Sequence, residues 1–499
     1  MATGALWAGK KSRGIISRVV VEGDLVLQTP AHFSNGDTDE LVDMPLLVDP
    51  LDGRTPLLTG ASIAGALRSY LRERERGYER GADSESASVL LFGAPKKREN
   101  EETAEEGEQS PLIIEDSLGK SSGVEIREGV ALDPESRTAC EKRLFDLQLW
   151  QAGTEFPLRF ELVIRERDDK AKLKQALATA LEGLNDGSIT LGARKRRGYG
   201  RVSVSNWRVK EFDLTSPEGL LDWIEDGDKP LADVNLAANV AEALGVGELL
   251  PDRRQFFSFE ATFSLDGSLL IRSGSGQDDQ GPDAVHLHAR QPNGSVMPVL
   301  SGTSLAGALR ARALKIANTI GDGECPRKLI NAMFGPEIEP GVEPQASRVI
   351  VEETVVANAK TDLVQNRVSI DRFTGSARET ALFNEQPAFG GDETTVTVKV
   401  RLLKPEEHEI GLLLLLLKDL WTGDLPLGGE TGIGRGRLKG EGAKLIWQRD
   451  GSVQDSVREW RLVANGQGLM IDGDRDFLEG CVSALTDYLK KGAYYETQN

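Results

Sequence analysis

The sequence predicts an α+β protein built from two tandem ferredoxin-like domains with insertions. Three observations lead there. The second half of the 499-residue chain repeats the first, strand-like and helix-like patterns follow one another in the same order in both halves, and the period of about 240 residues is far longer than the 20 to 50 of a solenoid. Asp43 falls on Asp283, and the turn Asp52-Gly53 falls on Asn293-Gly294. The segment Thr59 to Arg68 falls on Ser301 to Arg310, and Phe92-Gly93 on Phe334-Gly335. Further on, Asp133 with Leu144-Phe145 matches Asp371 with Leu382-Phe383, and Leu191-Gly192, Gly198 and Gly200-Arg201 match Leu427-Gly428, Gly434 and Gly436-Arg437. Matches in unbroken order define a first domain over residues 1–210, a connector over 211–254 and a second domain over 255–499 that ends in an extension.

Each copy opens with apolar alternation at strand spacing: Val19, Val21, Leu25 and Leu27, then Phe257, Phe259, Leu269 and Ile271. A helix follows Gly60 and Gly302, with Ile63, Leu67, Tyr70 and Leu71, or Leu305, Leu309 and Leu314, on one face. Next come a strand (Phe156 to Arg165; Thr394 to Leu403), a helix (Asp169 to Leu184; Glu406 to Leu420), a glycine-rich loop and a closing strand. That order is a split βαβ unit, in which helices cover one face of an antiparallel sheet. The connector carries a short amphipathic pattern at Leu220, Leu221, Trp223 and Ile224, consistent with a partly helical spacer. After Lys96-Lys97-Arg98, six glutamates within Glu99 to Glu108 have the composition of a solvated loop.

Composition narrows the function. With 39% hydrophobic and 28% charged residues the chain can bury a sizeable core, and its net charge of −19 opposes binding of bare duplex nucleic acid through a diffuse positive surface. Any phosphate site must therefore be local. Cys140, Cys325 and Cys481 are far apart and support neither a disulfide framework nor a zinc ribbon, which fits a reducing cytoplasm. The apolar run Leu412 to Leu417 is too short to span a bilayer, so no membrane partner is expected.

Local phosphate chemistry is concentrated in two motifs. The loops Leu191 to Arg201 and Leu427 to Arg437 combine glycines with cations: Arg194, Lys195, Arg196, Arg197 and Arg201 in the first, Arg435 and Arg437 in the second. Neither ends in Gly-Lys-Ser/Thr and both lead into a strand, which excludes a P-loop and a dinucleotide fingerprint. Backbone N–H groups freed by glycine and guanidinium forks suit phosphate, although solvated arginines in a turn are an equal alternative for the composition alone. The helix openings place Gly60 and Ser62, or Gly302 and Ser304, where unpaired N–H groups gather, with Arg68 and Arg310 two turns on. These serines also suit ordinary capping.

Taken together, Asp43-Met44-Pro45, Asp49-Pro50-Leu51-Asp52-Gly53, Thr59-Gly60-Ala61-Ser62-Ile63-Ala64-Gly65 and the late glycine-rich loop resemble the CRISPR-associated RAMP superfamily. More narrowly they resemble the RNA-binding backbone subunits of type III effector complexes, and Ser369-Ile370-Asp371-Arg372-Phe373-Thr374-Gly375 resembles a signature of the same subunits. The resemblance implies RRM-like domains lined up along a CRISPR guide RNA, with other RAMP subunits as neighbours and a complementary target RNA paired to the guide. A thumb-like hairpin carrying Arg372, Phe373 and Thr374 would displace a nucleotide, and a loop aspartate would support cutting there. Asp43 matches that aspartate and Asp283 is its counterpart, lacking the proline that follows Asp43. Alanines 64 and 306 stand where the family often has lysine.

An aspartate with a reference pKa near 3.9 is a weak base at neutral pH. The expected role of Asp43 and Asp283 is to hold Mg2+ or another divalent cation, or to orient a ribose 2′-hydroxyl for in-line attack on phosphorus. Two other readings remain at this level: a scaffold that binds RNA without cutting it, and a guide-processing nuclease using His32 or the pair His286 and His288 as acid and base.

Overall fold

The computed structural model describes residues 14–34, 36, 44–94, 109–132, 139–273, 281–337, 343–450, 456–465 and 468–496. Asp43, the acidic stretch Glu99 to Glu108 and the segment Asp133 to Thr138 lie outside the described residues.

Each half folds as a ferredoxin-like unit. In the first, strand Ile15–Leu27 pairs antiparallel on one side with Glu155–Arg165 and on the other with the closing strand Val202–Asp213; Leu112–Ile114 lies outermost beside Glu155–Arg165. The first and last strands are thus neighbours, as a split βαβ unit requires. Val21 sits between Phe160 and Val209 in register. The alternation read from the sequence places Val19, Val21, Leu25 and Leu27 against helices Gly60–Arg76 and Lys170–Asn185, where Ile63, Leu67, Leu177 and Leu181 complete the core. Each such side chain contributes about 1.5–3 kcal/mol when fully buried.

The second unit repeats this order. Phe256–Asp266 lies between Thr395–Leu403 and Arg437–Gln448, with Val349–Val351 and Thr354–Ala357 beyond Thr395–Leu403. Helices Gly302–Ile320 and Glu407–Trp421 cover one face, and a capping box between Glu406 and Glu409 starts the latter. The extension continues the sheet with Val457–Asn465 and Gly468–Asp472, then adds helix Arg475–Glu496, which packs Leu478, Cys481, Leu485 and Leu489 into the same core. Contact is close: a Cβ on Gly411 would meet the Cys481 carbonyl oxygen at 2.2 Å.

Each unit also projects a hairpin, Val124–Leu132 with Ala139–Trp150 in the first and Gln365–Ile370 with Ala377–Gln386 in the second. The closing strand of the first unit runs to Asp213, and the connector adheres to that unit. Trp223 packs edge-on against Phe212, and Val240 and Leu244 join the first core, while Leu220, Leu221 and Ile224 stay exposed. Cys325 and Cys481 are buried, and neither forms a disulfide among the described residues. Among the described residues, no helix is long and apolar enough to cross a membrane.

Candidate nucleic-acid interface

The two glycine-rich loops have the same backbone. Arg194 and Glu430 take left-handed φ values of 53° and 57°, a single 3-10 turn follows in each, and Gly198, Gly200, Gly434 and Gly436 all have positive φ. Gly200 and Gly436 are obligatory, because a Cβ on either would lie 1.8 Å from the carbonyl oxygen of Leu191 or Leu427. The loop is closed by Leu191 N–H donating to the Gly200 carbonyl at 2.8 Å, and by Leu427 to Gly436 at 2.9 Å. Since the second copy builds this backbone with Glu430-Thr431-Gly432-Ile433, the four cations Arg194 to Arg197 are not needed to form the turn. They answer to something else.

The first loop and the second helix opening come together across the boundary between units. A Cβ on Gly302 would meet the Arg197 carbonyl oxygen at 2.2 Å, and one on Gly198 would meet the Glu353 nitrogen at 2.2 Å. Arg197 is largely buried, its Nη1 lacks a hydrogen-bond partner, and burial together with nearby Arg310, Arg196 and Arg194 lowers its pKa. Burial also lowers the pKa of Arg310. The Arg194 guanidinium lies over the Phe145 ring of the first hairpin at 4.2 Å. None of these three arginines has a carboxylate within ion-pair distance among the described residues. Cations gathered near a helix N-terminus without ion-pair partners favour an anionic ligand.

Other residues singled out in the sequence have partners in the fold. Thr59 and Ser301 are the N-caps, and their hydroxyls donate to those of Ser62 and Ser304 at 2.9 Å. Gly60 N–H donates to Asp116 at 2.7 Å. Arg68 donates to the Gly93 carbonyl at 3.2 Å, and Arg310 donates to the Gly335 carbonyl and, at 3.1 Å, to Asn331; both arginines thereby satisfy the ends of the short helices that follow. Arg201 pairs with Glu352 at 2.5 Å. Arg435 is buried and donates to Glu385 and to Gln365, both at 2.8 Å, whereas Arg437 is exposed. Lys195 and Arg196 face a different part of the boundary between units.

That boundary is fixed by a buried ion pair with no sequence signal. Arg127, on the first hairpin, donates from Nη2 to Glu353 at 3.0 Å, pairs with the same carboxylate through Nη1, and donates from Nε to Glu125 at 2.8 Å. The second hairpin has a different base. Glu385 is fully buried between Arg435 and Arg367, with Glu430 beside it; burial, reinforced by Glu430, pushes the Glu385 carboxyl up. At its tip, Asp371 accepts from Phe373 N at 2.9 Å and Thr374 N at 2.8 Å, a turn that leaves Arg372 exposed and Phe373 97% exposed.

Asp283 is exposed at the foot of this second hairpin, with its Oδ2 accepting from Asn384 N at 2.7 Å. The following residue, Ala284, pairs in parallel with Glu385. Met44, which follows Asp43, makes the corresponding parallel bridge to Leu147 on the first hairpin. Among the described residues no three His, Cys, Asp or Glu side chains converge as a metal cage. A lone carboxylate with one oxygen uncommitted suits Mg2+, which is held by one or two carboxylates together with substrate phosphates.

The histidines are held structurally. His32 is buried with Nδ1 against the Gln148 carbonyl at 2.8 Å, and burial lowers its pKa. His286 is fully buried and accepts from Ile271 N at 3.1 Å, with its pKa pushed down to about 4 by burial and then by His288. As pH falls from about 6.5 to about 4, the unfolded chain takes up a proton that the native His286 refuses, so stability should drop by roughly 3 kcal/mol in that window. Urea unfolding across it should show this slope in the parent and a shallower one in His286→Gln; equal slopes would disprove the assignment.

A family model described as the RAMP superfamily matches residues 24–203 and 262–439, one match to each unit. No curated protein matches the chain.

Proposed function

The chain belongs to the RAMP superfamily of CRISPR-associated RNA-binding proteins, and from that premise we propose that it supplies two consecutive backbone units of a type III ribonucleoprotein in the cytoplasm. Its ligands are a CRISPR guide RNA and the target RNA paired to it, and its neighbours are other RAMP subunits. The observation that carries this reading is the packing of the Arg197 turn on the opening of helix Gly302–Ile320, with Arg194 and Arg310 nearby and no carboxylate within ion-pair distance of the three among the described residues, in a chain of net charge −19. Guanidinium groups and helix N–H groups grip phosphate oxygens without reading sequence, as a carrier of variable guides requires. Phe373, Val368, Ile370 and Leu382 give the second hairpin an exposed apolar surface suited to an unstacked base.

Cleavage of the target beside each hairpin is assigned to Asp43 and Asp283. Mg2+ held there would stabilise developing charge on the phosphate oxygens. Asp283 itself presents Oδ1 from a position fixed by the Asn384 N–H, and the hairpin above it keeps the nucleotide out of the stack so that the 2′-hydroxyl and phosphorus line up. The buried, neutral His286 does not suit a shared acid–base mechanism, and the position of His32 is Leu270 in the second copy: the carbonyls of these two residues stand against the matched Gly192 and Gly428.

The experiment is to co-express the chain with a guide array and measure retained RNA. RNA of uniform length should co-purify. Arg197→Ala with Arg310→Gln should weaken retention, and the slope of log affinity against log salt should fall by roughly one for each phosphate contact removed. Unchanged retention and slope in a folded double variant would remove this junction from the interface.

A further inference from the structure

A second basic feature lies between the units, lined by neither Arg194, Arg197 nor Arg310. A cleft of about 430 Å³ opens between helix Gly60–Arg76 with the Lys195-Arg196 turn on one side and, on the other, the face of the second sheet that points away from its helices. On that sheet face Lys399 and Lys444 flank Glu260 across neighbouring strands, and Arg401 is opposite Ser258 in the next row. Seven lysine and arginine side chains line the cleft against four acidic ones, the reverse of the balance over the chain.

Several of these charges lack compensation. Lys399 pairs with Glu260 at 3.1 Å and Lys444 with Glu459 at 3.0 Å, but Lys195, Arg196 and Arg401 have no carboxylate within ion-pair distance among the described residues. Burial lowers the pKa of Arg196, the sign of a guanidinium partly stripped of water. Glu73 and Glu79 are the nearest acids and offset that burial only in part, and burial pushes the Glu73 carboxyl up. A concave site that holds a partly desolvated Arg196 beside Lys195 and Arg401, the latter over the Phe256 ring at 4.6 Å, favours the entry of an anion. Its volume is within the range of small-ligand pockets, roughly 300–1,000 Å³.

We propose that this cleft binds a phosphate-bearing ligand, held by Lys195 and Arg196 from the first unit and by Arg401 and Lys399 from the second. Because both units contribute, the ligand adds to the hold of the Arg127–Glu353 pair across the same boundary. The site stands apart from the guide-binding reading and does not rest on it.

The test is calorimetry and thermal melting on the full chain at constant ionic strength, with inorganic pyrophosphate, ATP, and an RNA dinucleotide with or without a 5′-phosphate as probes. Saturable one-to-one binding and a raised Tm are expected, with affinity falling at least about tenfold in Arg401→Gln and unchanged in Lys229→Gln on the connector. Binding of pyrophosphate and ATP alone supports the proposal and identifies a free nucleotide; binding of the 5′-phosphorylated dinucleotide but not its hydroxyl twin supports it and identifies an RNA end. Lys444→Gln, at a solvent-facing position, should weaken binding about threefold and gives the same information if Arg401→Gln does not fold. The proposal is overturned if no probe saturates the site, or if the folded variants bind as tightly as the parent.

Discussion

Arg127→Ala should destabilise the protein by about 3–5 kcal/mol, most of it from the loss of charge pairing, since the only ring beside the guanidinium among the described residues is that of Tyr199, at 5.4 Å. Removing the guanidinium leaves Glu353, only 4% exposed, and Glu125, 13% exposed, as neighbouring carboxylates without a shared cation. The cost comes from stranding buried charge, so it exceeds what the pair itself adds. A double change, Arg127→Met with Glu353→Met, should therefore be less damaging than either Arg127→Ala or Glu353→Ala. Urea unfolding of the four proteins measures this directly. Single variants within about 0.5 kcal/mol of the parent would show that the two units are held together by other contacts.

Each proposed catalytic aspartate should account for one cut. In an assembled complex carrying guide and labelled target, Asp43→Ala should remove one product boundary and Asp283→Ala another, one backbone spacing away. The double variant should still bind target but not cut it. Loss of one oriented carboxylate is expected to slow its own site by about 10²-fold or more, the range for removing a single group from a positioned transition state. Chelator should abolish both products. Asp43→Ala with every product intact would end the catalytic assignment; a silent Asp283→Ala alone would make the second unit a scaffold. Products that persist in chelator and vanish on changing His32 would restore acid–base chemistry.

The repeat made the fold readable because it superimposes two independent samples of the same pattern. Val19 to Leu27 and Phe257 to Leu265 alternate with the period of half-buried strands, and Gly200 and Gly436 recur where the backbone leaves no room for a side chain. The roles of Arg68 and Arg310 were harder to see: their recurrence was plain, but each satisfies a carbonyl 25 residues away, beyond any local pattern. Arg435 shows the opposite limit, since a cation beside glycines suggests phosphate until Glu385, 50 residues earlier, is found against it. Arg127, Glu352 and Glu353 carried no signal, because they meet partners only after two completed units dock. Sheet extension by Val457–Asn465 and Gly468–Asp472 was missed for a related reason, as it has no counterpart in the first copy.

The position of helix Arg475–Glu496 has a consequence for how the protein is made. The first unit has its closing strand once Asp213 has been synthesised. The second has the counterpart of that strand by Gln448, yet Ile410, Leu413, Leu416 and Leu417 share a core with Leu478, Leu485 and Leu489, which are translated later. At roughly 5–20 residues per second, the ribosome takes on the order of 4–15 s to go from Trp421 to Glu496. During that interval part of a leucine-rich helix face is uncovered beside an already folded neighbour, so the second half of each nascent chain passes through an adhesive state that the first half does not.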